Sequence, residues 1–257
     1  MVSEIDGGTR FCAVFGHPIR HSASPAMHNA ALAALGLPWR YLAFDVDPAH
    51  LRAAIDGARR MNFAGLNLTV PHKLLALEMV DEVEDRARFF GAINTVRFEG
   101  RDSKGDWVPL GLLPEAAPAE VRSRGYNTDA DAVIRALRED LSFEPKGHSV
   151  LLLGAGGAGR VAALRLAEEG VRELWLVNRT EAKATEVMRE IEARFPSVNA
   201  RVGYPVNSVD LAMNATSLGL KEGDGLPFDP QQFNFARASA AYDMIYRPAE
   251  TPFLAAA

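Results

Sequence analysis

The residues best suited to chemistry in this chain of 257 residues begin with a glycine-rich turn at 154–159. An apolar run precedes the turn and an alanine-rich segment follows it, which is the strand, G-x-G-x-x-G and helix order of a dinucleotide-binding site. In such a site Gly154 permits the tight turn, Gly156 lets the backbone approach a pyrophosphate, and Gly159 lets the helix pack against the strand. A glycine-rich turn can also serve packing alone, but the flanking strand and helix favour dinucleotide binding.

The residues after the next predicted strand discriminate between the two nicotinamide dinucleotides. An NAD enzyme usually presents Asp or Glu to the ribose 2′-hydroxyl about twenty residues after the glycines. Here that position reads Asn178, Arg179 and Thr180, with Lys183 one turn later. Arg179 can hold a 2′-phosphate through its planar fork of donors, and Lys183 adds a point charge. In the alternative interpretation Thr180 caps a helix and Arg179 points to solvent. The two interpretations are compatible, and we predict NADP.

Four other segments carry polar residues that a plain core would not need. They read GHPIRHSASPAMHN at 16–29, NLTVPHK at 67–73, GAINT at 91–95 and YNTD at 126–129. In the first segment, Ser22 and Ser24 precede a predicted helix and could bind a carboxylate together with the helix amides. Alternatively, Ser24 is simply an N-cap and Pro25 the first helical residue.

The second and fourth segments contain residues that could act in acid–base chemistry. Alternation along a strand puts Asn67 and Thr69 on one face, with Lys73 just beyond. A lone lysine is usually a solvated surface residue, and Asp129 taken alone is typical of a helix N-cap. Neither Lys73 nor Asp129 taken alone therefore indicates a catalytic function, and only the combination of the segments does.

The elements that must position these residues alternate between strand and helix. Strands are predicted at 11–15, 39–46, 64–70, 91–99, 149–153, 173–177, 210–213 and 240–244, and helices at 25–35, 48–61, from Pro71 onward, 129–141, 158–169 and 181–195. This alternation predicts an α/β fold with mostly parallel sheets covered by helices. Residues 100–125, rich in Pro and Gly, are predicted to be an extended surface segment, with a short helix at 116–124 as the alternative.

Composition excludes several classes of function. Hydrophobic residues make up 48% and charged residues 24%, as in an ordinary globular protein. The net charge of −5 offers no general attraction to nucleic acid or to an anionic membrane. No apolar run approaches the roughly 18 residues of a membrane helix, and the N-terminus does not resemble a signal peptide.

The single cysteine, Cys12, excludes an internal disulfide and a Cys-based metal cluster. The six histidines include no HExxH or similar ligand pair. We therefore predict a cytoplasmic protein that uses no metal, binds neither nucleic acid nor membrane, and acts on a small molecule.

Taken together, the motifs resemble the shikimate dehydrogenase family. GHPIRHSASPAMHN resembles its N-terminal substrate loop, NLTVPHK its catalytic-lysine segment, and GAINT and YNTD its next two site segments. GAGGAGR, NRTEAKA, NATSLG and YDMIYRPAETPFL are similar to its cofactor-domain motifs and its return strand. The motifs occur in the order of the family and span 11–254, nearly the whole chain.

The resemblance implies an activity and a domain organisation. The activity is the reversible, NADPH-dependent reduction of 3-dehydroshikimate to shikimate, in the biosynthesis of chorismate and the aromatic amino acids. The implied organisation is an α/β substrate-binding and catalytic domain over 1–128, joined by a C-terminal return at 243–257, and a Rossmann-type NADP-binding domain over 129–242. Alternatives are a quinate/shikimate or aminoshikimate dehydrogenase of the family, or a non-catalytic ligand-sensing relative. Monomer and homodimer remain open.

The resemblance also implies roles for residues at matching positions. Lys73 and Asp129 would form the catalytic pair. The substrate contacts would be Ser22, Ser24, Asn67, Thr69, Asn94 and Tyr246, the two serines binding the carboxylate. The NADP contacts would be Gly154, Ala155, Gly156, Gly157, Ala158, Asn178, Arg179, Thr180, Lys183, Met244 and Asp85.

The chemistry of the reaction explains the implied pair. As hydride reaches the carbonyl carbon, negative charge develops on the oxygen and a proton must arrive, and an ammonium group can supply both stabilisation and proton. An adjacent carboxylate would orient the lysine and favour its charged form. We predict that Lys73 is the main proton donor and Asp129 its orienting partner.

The sequence departs from the family in two places. Residues 107–125 make the link before YNTD longer than is usual in the family. The sequence also ends at Ala257, whereas family members continue through a glycine-containing loop and a helix with a glutamine that contacts substrate. A protein without that segment is expected to be less stable and to bind substrate more weakly than a version that has it.

Overall fold

The computed structural model describes residues 5–113, 118 and 120–257. The chain divides into two compact units, with the boundary between Thr128 and Asp129. Each unit contains one β-sheet with helices, so the predicted α/β class is confirmed.

The described part of the first unit forms seven strands and four helices. The strands are β1 (Arg10–Gly16), β2 (Trp39–Asp45), β3 (Gly65–Leu68), β4 (Glu82–Val83), β5 (Thr95–Arg101), β6 (Trp107–Pro109) and β7 (Val121–Tyr126). The helices are α1 (Ser24–Ala34), α2 (Leu51–Arg60), α3 (His72–Leu75) and α4 (Asp85–Phe90), with short 3₁₀ turns at Pro48–His50, Ala76–Glu78 and Leu110–Leu112.

The sheet of the first unit has the order β2-β1-β3-β5-β7-β4, with β6 also paired to β5. Strand β1 is parallel to β2 and β3, and β4 is parallel to β7. Strand β5 is antiparallel to β3, β6 and β7, so it alone runs against the other six. Helices α1 and α2 provide the crossover connections that the parallel pairs require. Six of the seven strands therefore share one direction, in keeping with the prediction, and three of the six neighbouring pairs are parallel.

The differences from the predicted elements lie in the second half of this unit. The strand predicted at 91–99 begins only at Thr95, because Gly91 ends α4 in the left-handed conformation with φ of 61°. Strands β4, β6 and β7 and helix α4 were not predicted. The extended surface segment predicted at 100–125 is wrong over 121–125, because β7 pairs with both β5 and β4 and its residues Ser123 and Gly125 are buried. The alternative helix at 116–124 is wrong over 121–124, which pair with β5 as part of β7. Residues 114–117 and 119 lie outside the described residues.

Helix α2 covers one face of this sheet. Its buried residues Leu51, Ile55 and Ala58 recur at helical spacing and form one stripe. The stripe belongs to a core that includes Phe15 from β1 and Phe98 from β5, both almost fully buried. Burial of each such side chain contributes about 1.5–3 kcal/mol, so this core fixes the strands whose ends carry the polar residues.

The second unit is a parallel sheet with helices. Its strands are β8 (Ser149–Leu153), β9 (Glu173–Val177), β10 (Asn199–Val202), β11 (Val209–Asn214) and β12 (Ala238–Asp243). Its helices are α5 (Asp129–Leu141), α6 (Gly157–Glu168), α7 (Glu181–Arg194) and α8 (Pro252–Ala256), with a 3₁₀ turn at Phe235–Arg237. The strand order is β10-β9-β8-β11-β12, and every neighbouring pair is parallel. The carboxyl ends of all five strands therefore share one edge.

The predicted elements of the second unit agree with the structure to within about two residues at their ends, the uncertainty usual for assigned boundaries. Strand β10 and helix α8 were not predicted. Residues 243–257, predicted to return to the first domain, group with the second unit, where Phe253 of α8 is fully buried. None of the helices in the described ranges has the length and apolar composition needed to cross a membrane.

Candidate active site

The glycine-rich turn follows β8 at the carboxyl edge of the second sheet. Gly154 has φ of +108°, and a Cβ there would lie 2.9 Å from the backbone of Ala215, so glycine alone suits the position. A Cβ at Gly159 would collide with the Gly154 carbonyl, so this glycine lets α6 approach the turn. At Gly156 a Cβ would meet none of the described atoms within 4 Å. The backbone there is open to a ligand.

The amides that follow are suited to phosphate. Helix α6 begins at Gly157, and Gly156 at the cap position has no side chain with which to occupy the first-turn amides. These amides and the positive end of the helix dipole form an anion site. The Ala155 N–H donates to Asn178 Oδ1 at 2.9 Å, and Asn178 Nδ2 donates to the Thr180 carbonyl at 2.8 Å. Asn178 thus joins the glycine turn to the turn after β9.

Two exposed cations lie next to this turn, at the start of α7. Arg179 and Lys183 are exposed, and neither forms an ion pair with any acidic side chain that the structure describes. Thr180 occupies the cap position of α7, but its side chain makes no capping hydrogen bond. Thr180 therefore lies at the N-cap, as the alternative interpretation has it, but without a side-chain capping bond, and both cations are accessible to an anionic ligand.

A hydrogen-bond network organises the ends of β11 and β12. Asn214, fully buried, donates from Nδ2 to Asp243 Oδ1 at 3.0 Å, and Thr251 donates from Oγ1 to Asp243 Oδ2 at 2.6 Å. The Met244 N–H donates to the Asn214 carbonyl at 3.0 Å. This network holds Met244 at the carboxyl edge of the sheet, and Tyr246, two residues on, is 65% exposed.

Sequence reasoning did not assign roles to Asn214, Asp243 and Thr251. All three fall within NATSLG and YDMIYRPAETPFL, and Asn214 and Asp243 are the last residues of β11 and β12. A polar residue at the carboxyl end of a parallel strand was the signal that could have identified them.

In the first unit a chain of side-chain hydrogen bonds joins five polar residues. The Tyr41 hydroxyl donates to Asn67 Oδ1 at 2.6 Å, and Asn67 Nδ2 donates to Thr95 Oγ1 at 3.1 Å. The Thr95 hydroxyl donates to Asn94 Oδ1 at 3.2 Å, and Asn94 Nδ2 donates to Thr128 Oγ1 at 2.9 Å. We call these five residues the polar chain. It brings Asn67 and Asn94, predicted from separate segments, into one connected set.

Lys73 is attached to the same region through its backbone. It lies on α3 and is half-buried, and its carbonyl accepts from the Ile93 N–H at 2.8 Å. The Leu68 N–H donates to the Asn94 carbonyl at 2.8 Å, which fixes the end of β3 to the same loop. His72 is fully buried, and burial lowers the pKa of its imidazole. A neutral His72 places no positive charge beside Lys73.

The remaining predicted substrate contacts of the first unit are at strand ends and at α1. The Thr69 N–H donates to the Phe15 carbonyl at 2.9 Å, at the end of β3. Helix α1 begins at Ser24, and its cap position is Ala23, so the N-cap interpretation of Ser24 is wrong. The Ser24 N–H donates to Ser22 Oγ at 3.3 Å, so the two serines lie together.

The proposed roles of two predicted residues, Asp85 and Asp129, are not tested by the contacts of either unit. Asp85 is exposed in the first turn of α4, in the first unit, and its contact with the cofactor stays a prediction. Asp129 is the half-buried first residue of α5 and opens the second unit, whereas Lys73 belongs to the first, so their pairing also stays a prediction. Among the described residues, no group of three His, Cys, Asp or Glu side chains is arranged to hold a metal ion.

A parallel sheet with a glycine turn, open helix amides and accessible cations at its carboxyl edge defines a dinucleotide-binding protein. Residues 14–96 match the family model of the shikimate dehydrogenase substrate binding domain. Residues 137–218 match that of shikimate/quinate 5-dehydrogenase. The two matches fall in the two units that carry the sites described above.

Individual relatives agree with the family models. The chain is 39% identical to the shikimate dehydrogenase (NADP(+)) of Desulforamulus reducens, over 97% of this chain and 81% of that protein. Its structure is similar to shikimate 5-dehydrogenase from Thermus thermophilus in complex with NADP(H) and shikimate, with TM-score 0.74, 35% identity, and coverage of 96% of this chain and 82% of that one. It is also similar to quinate dehydrogenase from Corynebacterium glutamicum in complex with NAD, with TM-score 0.75, 28% identity, and coverage of 96% and 84%. The chain belongs to the shikimate dehydrogenase family.

Proposed function

We propose that this protein catalyses the reversible reduction of 3-dehydroshikimate to shikimate with NADPH, in the biosynthesis of chorismate and the aromatic amino acids. The observation that carries the proposal is that Lys73 is fixed by its backbone to the loop that holds Asn94 in the polar chain. The backbone of Lys73 therefore lies next to the loop that carries Asn94, which supports a role for its ammonium group near amides that can bind ring hydroxyls. Two of the relatives named above are shikimate dehydrogenases, and they support the choice of substrate.

The first unit binds the substrate in this proposal. Ser22 and Ser24, at the start of α1, bind its carboxylate, and Asn67, Thr69 and Asn94 bind its ring hydroxyls. Tyr246, from the segment after β12, adds a further contact, which is the role implied for the C-terminal return at 243–257. The match of 14–96 to a substrate binding domain supports this assignment.

In this proposal the second unit binds NADP, and residues 129–242 form the NADP-binding domain. The turn at 154–158 and the amides of α6 bind the pyrophosphate, and Met244 and Asp85 contact the cofactor. Arg179 and Lys183 bind the 2′-phosphate, with Asn178 and Thr180 completing that end. The accessible cations and the absence of a carboxylate at 178–180 support NADP over NAD.

When bound, NADPH supplies the hydride for the carbonyl carbon. The Lys73 ammonium stabilises the charge that develops on the carbonyl oxygen and delivers the proton from Nζ. Asp129 orients Lys73. Asp129 directly follows Thr128, and the Thr128 N–H donates to Asn94 Oδ1 at 3.0 Å, which supports a position near the substrate. The enzyme acts in the cytoplasm, as a monomer or a homodimer.

Quinate is the second candidate substrate, because the chain also resembles a quinate dehydrogenase in complex with NAD. The deciding experiment follows formation of the reduced cofactor by its near-ultraviolet absorbance. It compares shikimate with quinate, and NADP with NAD. We expect the highest kcat/KM for shikimate with NADP. A preference for quinate with NAD would replace the proposal with the second candidate, and no turnover of either substrate would favour a ligand-sensing role.

Replacement of Lys73 tests the mechanism. Lys73→Ala should lower kcat by about 10²–10⁴, the usual contribution of a positioned general acid, with little change in NADPH affinity. The matched control is Lys104→Ala, which removes an exposed lysine in the turn between β5 and β6. Near-normal turnover of Lys73→Ala would reject the assignment.

A further inference from the structure

We infer that Tyr41 is a positioning residue that fixes the orientation of the Asn67 amide for recognition of a substrate hydroxyl. The inference rests on the proposed function, in which Asn67 binds the ring of shikimate. Tyr41 lies on β2, 26 residues before Asn67, and belongs to none of the motifs that carry the family resemblance. Only the folding of the chain brings Tyr41 into contact with Asn67 of the proposed site.

The direction of the hydrogen bonds in the polar chain follows from their geometry. The Thr128 backbone N–H can only donate, so the atom of Asn94 that it contacts at 3.0 Å must be the carbonyl oxygen Oδ1. The Thr95 hydroxyl donates to that same oxygen and therefore accepts from Asn67 Nδ2. The carbonyl end of the Asn67 amide must then face Tyr41, whose hydroxyl donates.

The length of the Tyr41 hydrogen bond gives independent support. At 2.6 Å it lies in the normal range of an O–H···O bond and is shorter than the roughly 2.7–3.2 Å of an N–H···O bond. A flipped Asn67 amide would place its NH₂ group against the Tyr41 oxygen at that short distance. The hydroxyl therefore selects one of the two amide orientations. The second N–H of Asn67 has only a 3.4 Å contact with the Asn94 carbonyl, and it is the donor that a substrate hydroxyl would use.

Tyr41 is itself held rigidly. Its side chain is 3% exposed and packs with Val14 and Ile19, and the His28 ring stacks on it with centroids 4.2 Å apart. Burial also raises the pKa of Tyr41, so its hydroxyl stays protonated and remains a donor. The tyrosine therefore offers a fixed donor to Asn67.

The backbone of Tyr41 is also hydrogen-bonded to α1, the helix that carries the proposed carboxylate site. Asn29 of α1 accepts the Tyr41 N–H at 2.9 Å and donates to the Tyr41 carbonyl at 2.8 Å. The Asn29 amide also donates to the Pro25 carbonyl at 2.8 Å, one residue after Ser24. Tyr41 thereby connects the start of α1 with Asn67, the two places where the proposal puts opposite ends of the substrate.

The test is Tyr41→Phe, which removes the hydroxyl and keeps the buried ring. We expect the KM for shikimate to rise about five- to tenfold, the effect of one hydrogen bond, while kcat and the KM for NADP change less than about twofold. The matched control is Tyr204→Phe, which removes a hydroxyl that accepts the Asp229 N–H at 2.8 Å in the second unit. The control should leave the KM for shikimate unchanged.

A double-mutant cycle separates positioning from general packing. If Tyr41 acts through Asn67, Tyr41→Phe added to Asn67→Ala should produce no further rise in the KM for shikimate. Multiplicative effects of the two substitutions would overturn the inference, as would an unchanged KM in Tyr41→Phe. Thr95→Val removes the acceptor at the other end of the Asn67 amide. It should raise the KM to a similar degree, and an unchanged KM there would count against the inference even if Tyr41→Phe failed to fold.

The wild-type assay distinguishes a failure of this inference from a failure of the proposed function. If wild-type protein does not turn over shikimate, the proposed function is wrong and the inference falls with it. If wild-type protein turns over shikimate but the effects of Tyr41→Phe and Asn67→Ala on its KM multiply, only the role of Tyr41 is wrong.

Discussion

In the proposed function, Arg179 and Lys183 set the preference for NADP over NAD. Both are exposed at the start of α7, next to the turn that Asn178 fixes to the glycine loop. A guanidinium group binds phosphate through two parallel hydrogen bonds, whereas an ammonium group acts as a point charge. Arg179 should therefore contribute more than Lys183 to the recognition of a 2′-phosphate.

Replacement of Arg179 tests this assignment. Arg179→Ala should raise the KM for NADP about ten- to a hundredfold, because it removes charge-assisted hydrogen bonds to the 2′-phosphate, and should change the KM for NAD little. Steady-state kinetics with both cofactors measure the effect. Arg189→Ala, on an exposed position of the same helix, is the control. Equal losses with NADP and NAD would mean that Arg179 does not contact the 2′-phosphate.

At the scale of elements, β5, β6 and β7 form a layer of arginine, glutamate and aromatic side chains on one sheet face. Trp107 of β6 lies between Arg101 and Arg122, whose guanidinium carbons are 4.3 and 4.5 Å from its ring centroids. Glu99, only 1% exposed, pairs with Arg122 at 2.7 Å and with Arg97. Trp107 and Arg122, near the two ends of the long segment 107–125, therefore have a structural role in this layer.

Glu99 should make the stability of this layer depend on pH. Burial alone would raise the pKa of Glu99, but hydrogen bonds and charges from Arg97 and Arg122 hold it below its ordinary value. A carboxylate whose pKa is lower in the folded state stabilises the fold above its unfolded pKa of about 4.3, and that stabilisation is lost as the pH falls through the folded pKa. Acid should therefore weaken the layer.

Glu99→Gln tests this element. At neutral pH the variant should be about 1.5–3 kcal/mol less stable, because hydrogen bonds to a charged group are lost. Below about pH 4 the difference from wild type should shrink, since the wild-type carboxyl is then being protonated. Urea unfolding across this pH range measures both effects. Glu120→Gln, whose side chain is 66% exposed, should change little, and a difference independent of pH would contradict the linkage.

At the scale of the whole molecule, each unit has its own hydrophobic core. The core of the second unit extends into the last residues of the chain, because Phe253 is fully buried beside Phe228 and Phe235. The ring centroids of Phe253 and Phe235 are 5.0 Å apart in an edge-on arrangement. Residues near Ala257 are therefore part of the second fold and not an appendage to it.

Phe253→Ala should destabilise the second unit by about 3–5 kcal/mol, the usual cost of removing a buried aromatic ring. Hydrogen exchange should show the loss of protection in β11 and β12, with β1 unchanged. Leu35→Ala, at a position 72% exposed in the first unit, is the control for loss of an apolar side chain. A loss spread equally over both sheets would mean that the two cores do not unfold independently.

The sequence by itself determined the features that depend on neighbouring residues. Apolar runs followed by glycine and an alanine-rich segment predicted β8, the turn and α6, because the conformations involved are set within a few residues. The position after β9 indicated NADP for the same reason. The order of the motifs indicated the family, because each motif is a short run of residues that can be recognised without knowledge of the fold.

Only the tertiary structure decided which distant residues meet. The reversed direction of β5 and the pairing of β7 depend on register between strands that no local pattern encodes. The structure also decided that α1 begins at Ser24 with Ala23 at its cap position, and that Thr180, at the cap position of α7, makes no side-chain capping hydrogen bond. Tyr41 reached Asn67 because β1 lies between β2 and β3 and carries both strands in one sheet. Such contacts arise from long-range packing, which is why the polar chain could not be predicted from its separate segments.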